Sequence, residues 1–299
     1  MPELPDVQIY VERMRAFVVG ETLERVRIKS VFLLRSVEPP VAAVEGQPVV
    51  SVDSIGKRIV IGFPDELYLV LHLMITGRLR WRKPGAGLPG RAGLAAFDFA
   101  GGTLMLTEQA RRKRASLHVV SGKDSLREFD RGGLDVMGCG EEAFAERLRS
   151  ANHTIKRALT SPRLLSGIGN AYSDEILHHA RLSPLKWTSR LTDDEMARLY
   201  ASTREVLNLW IERSRNEVGE KFPDKVTAFR EGMAVHGRYR EPCPVCETPV
   251  QRIVRGDHET NYCPTCQTDG KVYADRALSK LLGKDWPKTI EEWEELRER

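Results

Sequence analysis

Four cysteines near the C-terminal end constrain this chain more than any other feature. They fall as Cys243-Pro-Val-Cys246 and Cys263-Pro-Thr-Cys266, with sixteen residues between the pairs. Each Cys-x-x-Cys offers two sulfurs from one tight turn, and two such turns complete a tetrahedron. That donor set leaves no position open for water. The expectation is one structural zinc ion (Zn2+) on Cys243, Cys246, Cys263 and Cys266, folding a hairpin too small to bury a core of its own. Redox use of either pair is the alternative, but nothing nearby reads as the βαβ unit that would accompany it. The spacing also points to a reducing compartment, where thiols persist for metal instead of pairing as disulfides. The remaining cysteine, Cys139, reads as a packed, inert thiol.

The rest of the 299 residues, 41% of them hydrophobic, are enough for two domains with ordinary cores. Glu3 and Asp6 interrupt the start of the chain, so no signal-peptide run is present, and no later segment is a bilayer's length of uncharged apolar residues. These features predict a cytoplasmic protein with no membrane partner, and a monomer is expected. The formal charge of +4 falls to about +2 once four thiolates hold one zinc. So weak a balance says nothing about partners, and the distribution of charge must carry that argument. The densest run is Arg111, Arg112, Lys113 and Arg114, followed by Lys156 and Arg157 and by Arg238, Arg240, Arg252 and Arg255 around the cysteines. Brought to one face they would bind phosphates; apart, they are solvated patches.

Val7, Tyr10, Val11, Met14, Phe17 and Val18 recur at helical intervals and Gly20 is placed to end the run, which predicts an amphipathic helix almost at the N-terminus. From about residue 24 to 120 the pattern becomes short β-rich runs beginning at Arg58, Leu67, Leu94, Thr103 and Ser116, separated by Pro and Gly clusters, and a β-sandwich follows. Beyond a linker the chain turns helical. Thr192 and Glu195 form a capping-box pattern ahead of Met196, Leu199, Tyr200, Val206, Leu207 and Trp210. A tail from about residue 271 carries Leu278, Leu281, Leu282, Trp286 and Trp293.

Two further segments offer chemistry. Gly167-Ile-Gly169-Asn170 lies between two helical stretches; Tyr172 stands where a dinucleotide-binding loop needs glycine and no strand precedes it, so that reading fails. A helix-turn-helix corner remains, where glycines let backbone amides approach a phosphate and Asn170 adds a donor. At the other end, Pro2 becomes a secondary amine if Met1 is removed. Such an amine titrates near ~8, can attack an anomeric carbon, and forms an iminium that permits elimination. Glu3 beside it could act as general acid. Taken alone, Met-Pro-Glu also reads as a plain helix start, and Lys57 as an exposed turn lysine in place of a phosphate contact.

Taken in order, Pro2-Glu3-Leu-Pro, Lys57, Gly-Ile-Gly-Asn170, Val235-His-Gly-Arg238 and the four cysteines resemble the formamidopyrimidine-DNA glycosylase and endonuclease VIII family over about residues 1 to 270. The resemblance implies an α+β, multidomain fold: an N-terminal β-sandwich with an N-terminal helix, a helix-two-turn-helix domain and a C-terminal zinc-ribbon hairpin, with DNA in the cleft between the domains. The boundaries expected are 1–120 for the catalytic sandwich, 121–149 for a linker, 150–234 for the helix-two-turn-helix domain, 235–270 for the ribbon and 271–299 for an extension. It implies that Pro2 is the nucleophile and Glu3 the acid. Lys57 and Asn170 would then position phosphates, Lys57 beside the reaction centre, and Ile155-Lys156 would reach the lesion pocket, with a plain surface lysine as the other reading. DNA contacts are expected from Arg111, Arg112 and His258 as well, and damaged DNA, duplex or single-stranded, is the expected partner. The activity implied is base-excision glycosylase with abasic-site lyase; the alternative is a family member that binds damaged or structured DNA with little or no catalysis.

Departures from the family pattern bear on the substrate. His258 stands where the ribbon usually carries arginine, and an imidazole holds a phosphate less firmly than a guanidinium fork. The family's His-Leu-Gly-Met reads His72-Leu-Met74-Ile75, and its Arg-Phe wedge reads Arg111-Arg112-Lys113. The groups that fill the hole left by a flipped base are therefore altered, which predicts a lesion range displaced towards single-stranded, bulky or already distorted sites.

Overall fold

The computed structural model describes residues 1–299 except 225, 228, 257, 274–285, 291 and 293–299. Of the apolar tail residues, Leu278, Leu281, Leu282 and Trp293 lie outside the described residues. In chain order the elements are α1 (Leu4–Val18), β1 (Thr22–Leu23), β2 (Arg25–Ile28), β3 (Gln47–Pro48), β4 (Ser51–Ile55), β5 (Arg58–Phe63), β6 (Leu67–His72), β7 (Gly77–Arg82), β8 (Gly93–Phe99), β9 (Gly102–Glu108) and β10 (Ser116–Ser121). There follow α2 (Lys123–Leu126), α3 (Glu141–Arg149), α4 (Ile155–Thr160), α5 (Asn170–His179), α6 (Asp193–Val218), β11 (Gln251–Arg255), β12 (His258–Tyr262) and α7 (Pro264–Thr268). Two compact units result, one of residues Met1–Arg131 with Asn208–Ala228, the other of Gly132–Leu207 with Phe229–Arg299.

The first unit is a β-sandwich. One sheet runs β10-β6-β5-β4 and the other β2-β8-β9-β7, with antiparallel neighbours throughout. Alternation along the strands explains the pairing: Ile59, Ile61, Leu69, Leu71, Leu117 and Val119 from one sheet share a continuous core with Leu79, Phe97, Phe99, Leu104 and Leu106 from the other. Helix α1 adds Val7, Tyr10, Met14 and Val18 to that core, the face its periodicity predicts. Its start is fixed by a capping box in which the Asp6 carboxylate accepts the Glu3 N–H at 2.9 Å, and Gly20 follows its end at a φ of 88°. The far end of α6 belongs to the same unit. There Arg215 forks onto Glu12 of α1 at 3.0 and 2.5 Å, and Phe222 packs on Tyr10, Phe17 and Trp81.

In the second unit, α3, α4, α5 and the beginning of α6 stand with the β11–β12 hairpin and α7. The expected box at Thr192 and Glu195 is present in both directions, at 3.0 and 3.2 Å. The ribbon's own core is small. It consists of Val235, Val250 and two of the cysteines, with Ala234 and the other two cysteines packed against them. The mixed helix-and-sheet architecture expected from the sequence is the one found. Among the described residues, no helix is long and apolar enough to cross a membrane.

Candidate functional site

In the first unit, chemistry gathers at the head of α1. Because the helix starts at Leu4 and buries one face against the sandwich, Pro2 and Glu3 are themselves buried, Glu3 to 2% exposure. Burial pulls the amino group at Met1 below its ordinary value; Glu3 and Asp6 act against this, while Arg78 and Lys57 reinforce it. That balance places Glu3, Asp6, Arg78 and Lys57 within electrostatic reach of the N-terminal amine. Of the residues singled out in the sequence, Pro2, Glu3 and Lys57 are thus brought together.

Next to Lys57 lies a set of basic side chains whose clustering sequence reasoning missed. Arg58 and His72 are register partners on β5 and β6, and Arg58 donates to the Phe129 carbonyl at 3.2 Å. Burial, with Arg58, Lys57 and His118 nearby, holds His72 down at about 4, so it is neutral at pH 7. Strand pairing assembles this group, and no local motif announces it; the one signal in the sequence was the alternation that defined β5 and β6.

Arg111 and Arg112 are exposed on the loop between β9 and β10. Lys113 turns back instead, its ammonium bonding the Glu108 carbonyl. The turn before β7 carries the other altered residues. Met74 sits at a φ of 53°, a conformation that favours glycine, and Ile75 beside it is 48% exposed. Gly77 cannot be replaced there, since a Cβ would lie 2.2 Å from the Leu73 carbonyl oxygen.

In the second unit α5 is the organising element. Gly169 is its N-cap, and Asn170, its first residue, donates its side-chain amide to the Glu259 carbonyl of β12 at 2.7 Å. Lys156 is not a surface lysine: it is 11% exposed, with its ammonium on Asp174 at 2.5 Å and on the Asn170 carbonyl at 2.7 Å. Asp174, fully buried, takes His236 on its other oxygen at 2.8 Å. Glu175 accepts the backbone N–H groups of Ala234, Val235 and His236 at 2.7, 2.9 and 2.9 Å. The side chains of Asp174 and Glu175 thus hold the segment Ala234-Val235-His236, a role invisible in the sequence because its partners lie about sixty residues away. His258 pairs with Arg255 beside the hairpin tip, and its side chain lies outside the described residues.

The four expected cysteines converge, their sulfurs all within 4.8 Å of one another. Separations of 3.3, 3.4 and 3.9 Å bracket the roughly 3.8 Å spacing of four sulfurs placed tetrahedrally about ~2.3 Å from zinc. Burial pushes the Cys266 thiol up to about 12 and the Cys263 thiol higher still, so a cation is what would keep these groups as thiolates. His178 of α5 brings Nε2 to 3.3 Å from Cys243 Sγ. Donor set and geometry fit one structural zinc with no open position.

A sandwich with an ordered N-terminus, a helix-turn-helix corner and a four-cysteine hairpin define a zinc-ribbon protein of the helix-two-turn-helix class. Comparison with known proteins is more specific. Residues 1–116 match the formamidopyrimidine-DNA glycosylase N-terminal domain, 137–221 its H2TH domain, and 240–268 the zinc finger found in FPG and IleRS. The formamidopyrimidine-DNA glycosylase of Thermus thermophilus is 34% identical over 282 residues, covering 90% of this chain and all of the relative. The solved MutM (Fpg) structure from Thermus thermophilus is 33% identical, covers 89% of this chain and 98% of its own, and gives a TM-score of 0.74. Lactococcus lactis Fpg, solved with DNA containing an abasic site, has a TM-score of 0.78 at 24% identity, covering 89% of this chain and 99% of its own, a likeness of fold. The chain belongs to the formamidopyrimidine-DNA glycosylase family.

Proposed function

We propose that this protein is a base-excision DNA glycosylase with abasic-site lyase activity, in which Pro2, freed by removal of Met1, attacks the anomeric carbon of an extruded nucleotide. The observation that carries the reading is the setting of the N-terminus: Pro2 is buried next to the buried Glu3 carboxyl, and the amino group one residue before it, on Met1, is drawn towards its neutral form by burial with Arg78 and Lys57 in electrostatic reach. A neutral amine is the nucleophilic form. Addition to C1′ breaks the glycosidic bond and gives an iminium; Glu3 supplies the proton to the ring oxygen or leaving group, and loss of a proton from C2′ then expels the 3′ phosphate. Lys57 and Arg78 would hold flanking phosphates, with Arg58 and His72 behind them. In the second unit Asn170 would offer a donor at the head of α5, where the helix dipole also favours phosphate. Lys156 acts from within, holding the first turn of α5 through Asp174 and the Asn170 carbonyl. Arg111, Arg112 and His258 are assigned to the DNA surface. The domain bounds expected from the sequence, a cytoplasmic location and a monomeric state belong to the same proposal.

Zinc, when bound, supplies charge neutralisation and a fixed cross-link, and takes no part in the chemistry. The altered turn and loop weaken the filling of an emptied base stack, which moves the substrate range towards single-stranded or distorted DNA, where extrusion costs less. Borohydride trapping tests the mechanism. Wild type should form a covalent adduct with abasic DNA, and Pro2→Gly should lose nearly all of it, as expected when the only nucleophile is removed. Equal trapping by both, or Met1 retained on active protein by mass spectrometry, refutes the nucleophile. Strong excision of 8-oxoguanine from intact duplex over single strand refutes the substrate range.

A further inference from the structure

We infer that Glu108 is a positioning residue that locks the 73–77 turn and the 109–115 loop into one rigid filler for the space left by an extruded nucleotide, a role that rests on the glycosylase reading above. Glu108 is 1% exposed at the end of β9, in register with Gly77 at the start of β7. One carboxylate oxygen accepts the Thr76 hydroxyl at 3.2 Å, within the turn that exposes Ile75. The other accepts the backbone N–H groups of Arg114 and Ala115 at 2.9 and 3.1 Å, where the loop re-enters β10. Its carbonyl takes the Lys113 ammonium, and its N–H is held by the Ala92 carbonyl at 2.8 Å.

A buried carboxylate is costly unless each oxygen is satisfied. Here both are, and the groups that satisfy them come from two different segments. With the loop tied down at both ends, the exposed side chains left on it are Gln109, Arg111 and Arg112, with Arg114 beside the N–H groups that Glu108 holds. Lys113, at the place of the aromatic wedge, is turned inward and cannot fill the stack. Filling therefore falls to Ile75 and to the guanidinium planes of Arg111 and Arg112, which work only if turn and loop hold a fixed relation to each other. The Glu108 carboxylate sets that relation. The Glu108 carboxylate is buried and spends both oxygens on protein groups, so its influence is confined to substrates that have a stack to fill.

Single-turnover cleavage of the same abasic site in duplex and in single-stranded DNA tests this. Glu108→Gln keeps the shape and the Thr76 contact, whose hydroxyl can turn to accept from the new N–H₂, but replaces the charge-assisted bonds to the Arg114 and Ala115 N–H groups with neutral ones. It should lower the duplex rate about tenfold, the scale of weakening hydrogen bonds to a buried charge, with the loss in the limiting single-turnover rate and not in the enzyme concentration that half-saturates it. The single-strand rate should change less than about twofold, since no partner strand is left to be filled. Thr76→Val, which cuts one link and leaves the core intact, should give the same selective loss at about threefold. Combined with Ile75→Ala, either variant should add less than its separate effect, as coupled residues do. Equal losses on the two substrates, or an unaffected duplex rate, overturn the role of Glu108 and leave the glycosylase reading standing. Wild-type protein that cuts neither substrate overturns both.

Discussion

The sandwich and the ribbon reach a folded state by opposite routes. The sandwich shares one apolar core between eight strands and α1, in which Tyr10, Met14, Ile59, Leu69, Leu79 and Leu104 are all fully buried. The ribbon has two valines and four sulfurs at its centre. Burial of apolar area can hold the first; the second needs a metal ion in place of a core. The regions that bear the two halves of the proposed function therefore differ in what destroys them. The largest effect expected is on metal removal: a strong chelator should abolish binding in a gel shift and collapse the β11–β12 hairpin, while circular dichroism keeps the β-signal of the sandwich. Loss of both signals together would erase the distinction.

Point substitution comes next. Phe97→Ala empties a site at the centre of the sandwich that is 1% exposed, and should cost about 3–5 kcal/mol in denaturant unfolding. Zinc affinity, measured by chelator competition, should not move. If it falls, the two regions do not stabilise themselves separately.

The two routes also explain what the sequence disclosed. Cys-x-x-Cys is a local motif and two of them complete the donor set, so all four zinc ligands were legible, though the His178 contact on Cys243 was not. The strands from Arg58, Leu67, Leu94, Thr103 and Ser116 were legible because their apolar residues are buried in runs. Strand β7 was not read: in Gly-Arg-Leu-Arg-Trp-Arg only Leu79 and Trp81 are large and apolar, and Arg78, Arg80 and Arg82 alternate with them. The chemistry of Pro2 and Glu3 was readable from the residues, but Met-Pro-Glu reads equally as a plain helix start, and the family resemblance decided between the two. Glu108, Asp174 and Glu175 were hidden because each is defined by partners from elsewhere in the fold, as was the burial of Lys156 against Asp174.

Smaller effects sharpen the comparison from the ribbon side. His178 reaches Cys243 Sγ from α5, the helix that also presents Asn170, so the metal site and the corner proposed to bind phosphate share one element. Groups that contact a ligand atom from outside the coordination sphere typically contribute about 10- to 100-fold to metal affinity. His178→Phe keeps the bulk of the ring and removes the contact; zinc should be lost to a chelator at about tenfold lower competitor concentration. Unchanged affinity would mean that the ribbon holds its metal without help from α5.

Acid weakens both regions, by different means, and His72 separates them. In the ribbon, protons compete with zinc for the cysteine sulfurs, so metal is released as pH falls. In the sandwich, His72 titrates at about 4 when folded and near its ordinary 6.5 when unfolded, because burial and the neighbouring Arg58, Lys57 and His118 disfavour its charge. Between those values the unfolded chain binds more protons than the native one, so stability rises with pH through the window and is lost as pH falls from about 6.5 towards 4. Allowing for the partial exposure of the ring, the loss should be on the order of 1–2 kcal/mol. His72→Gln cannot titrate, and its urea midpoint, followed by the β-sheet signal, should depend less on pH across this range than that of wild type. Zinc release, followed with a colorimetric chelator, should keep the same acid profile in both proteins. A phosphate placed against His72 would reverse the sign of its environment and favour the imidazolium. Binding of abasic DNA by wild type should therefore take up a proton and tighten between about pH 7 and pH 6, and the gain should vanish in His72→Gln. Should the variant tighten equally, the proton is taken up elsewhere and His72 is a buried neutral group of the sandwich alone.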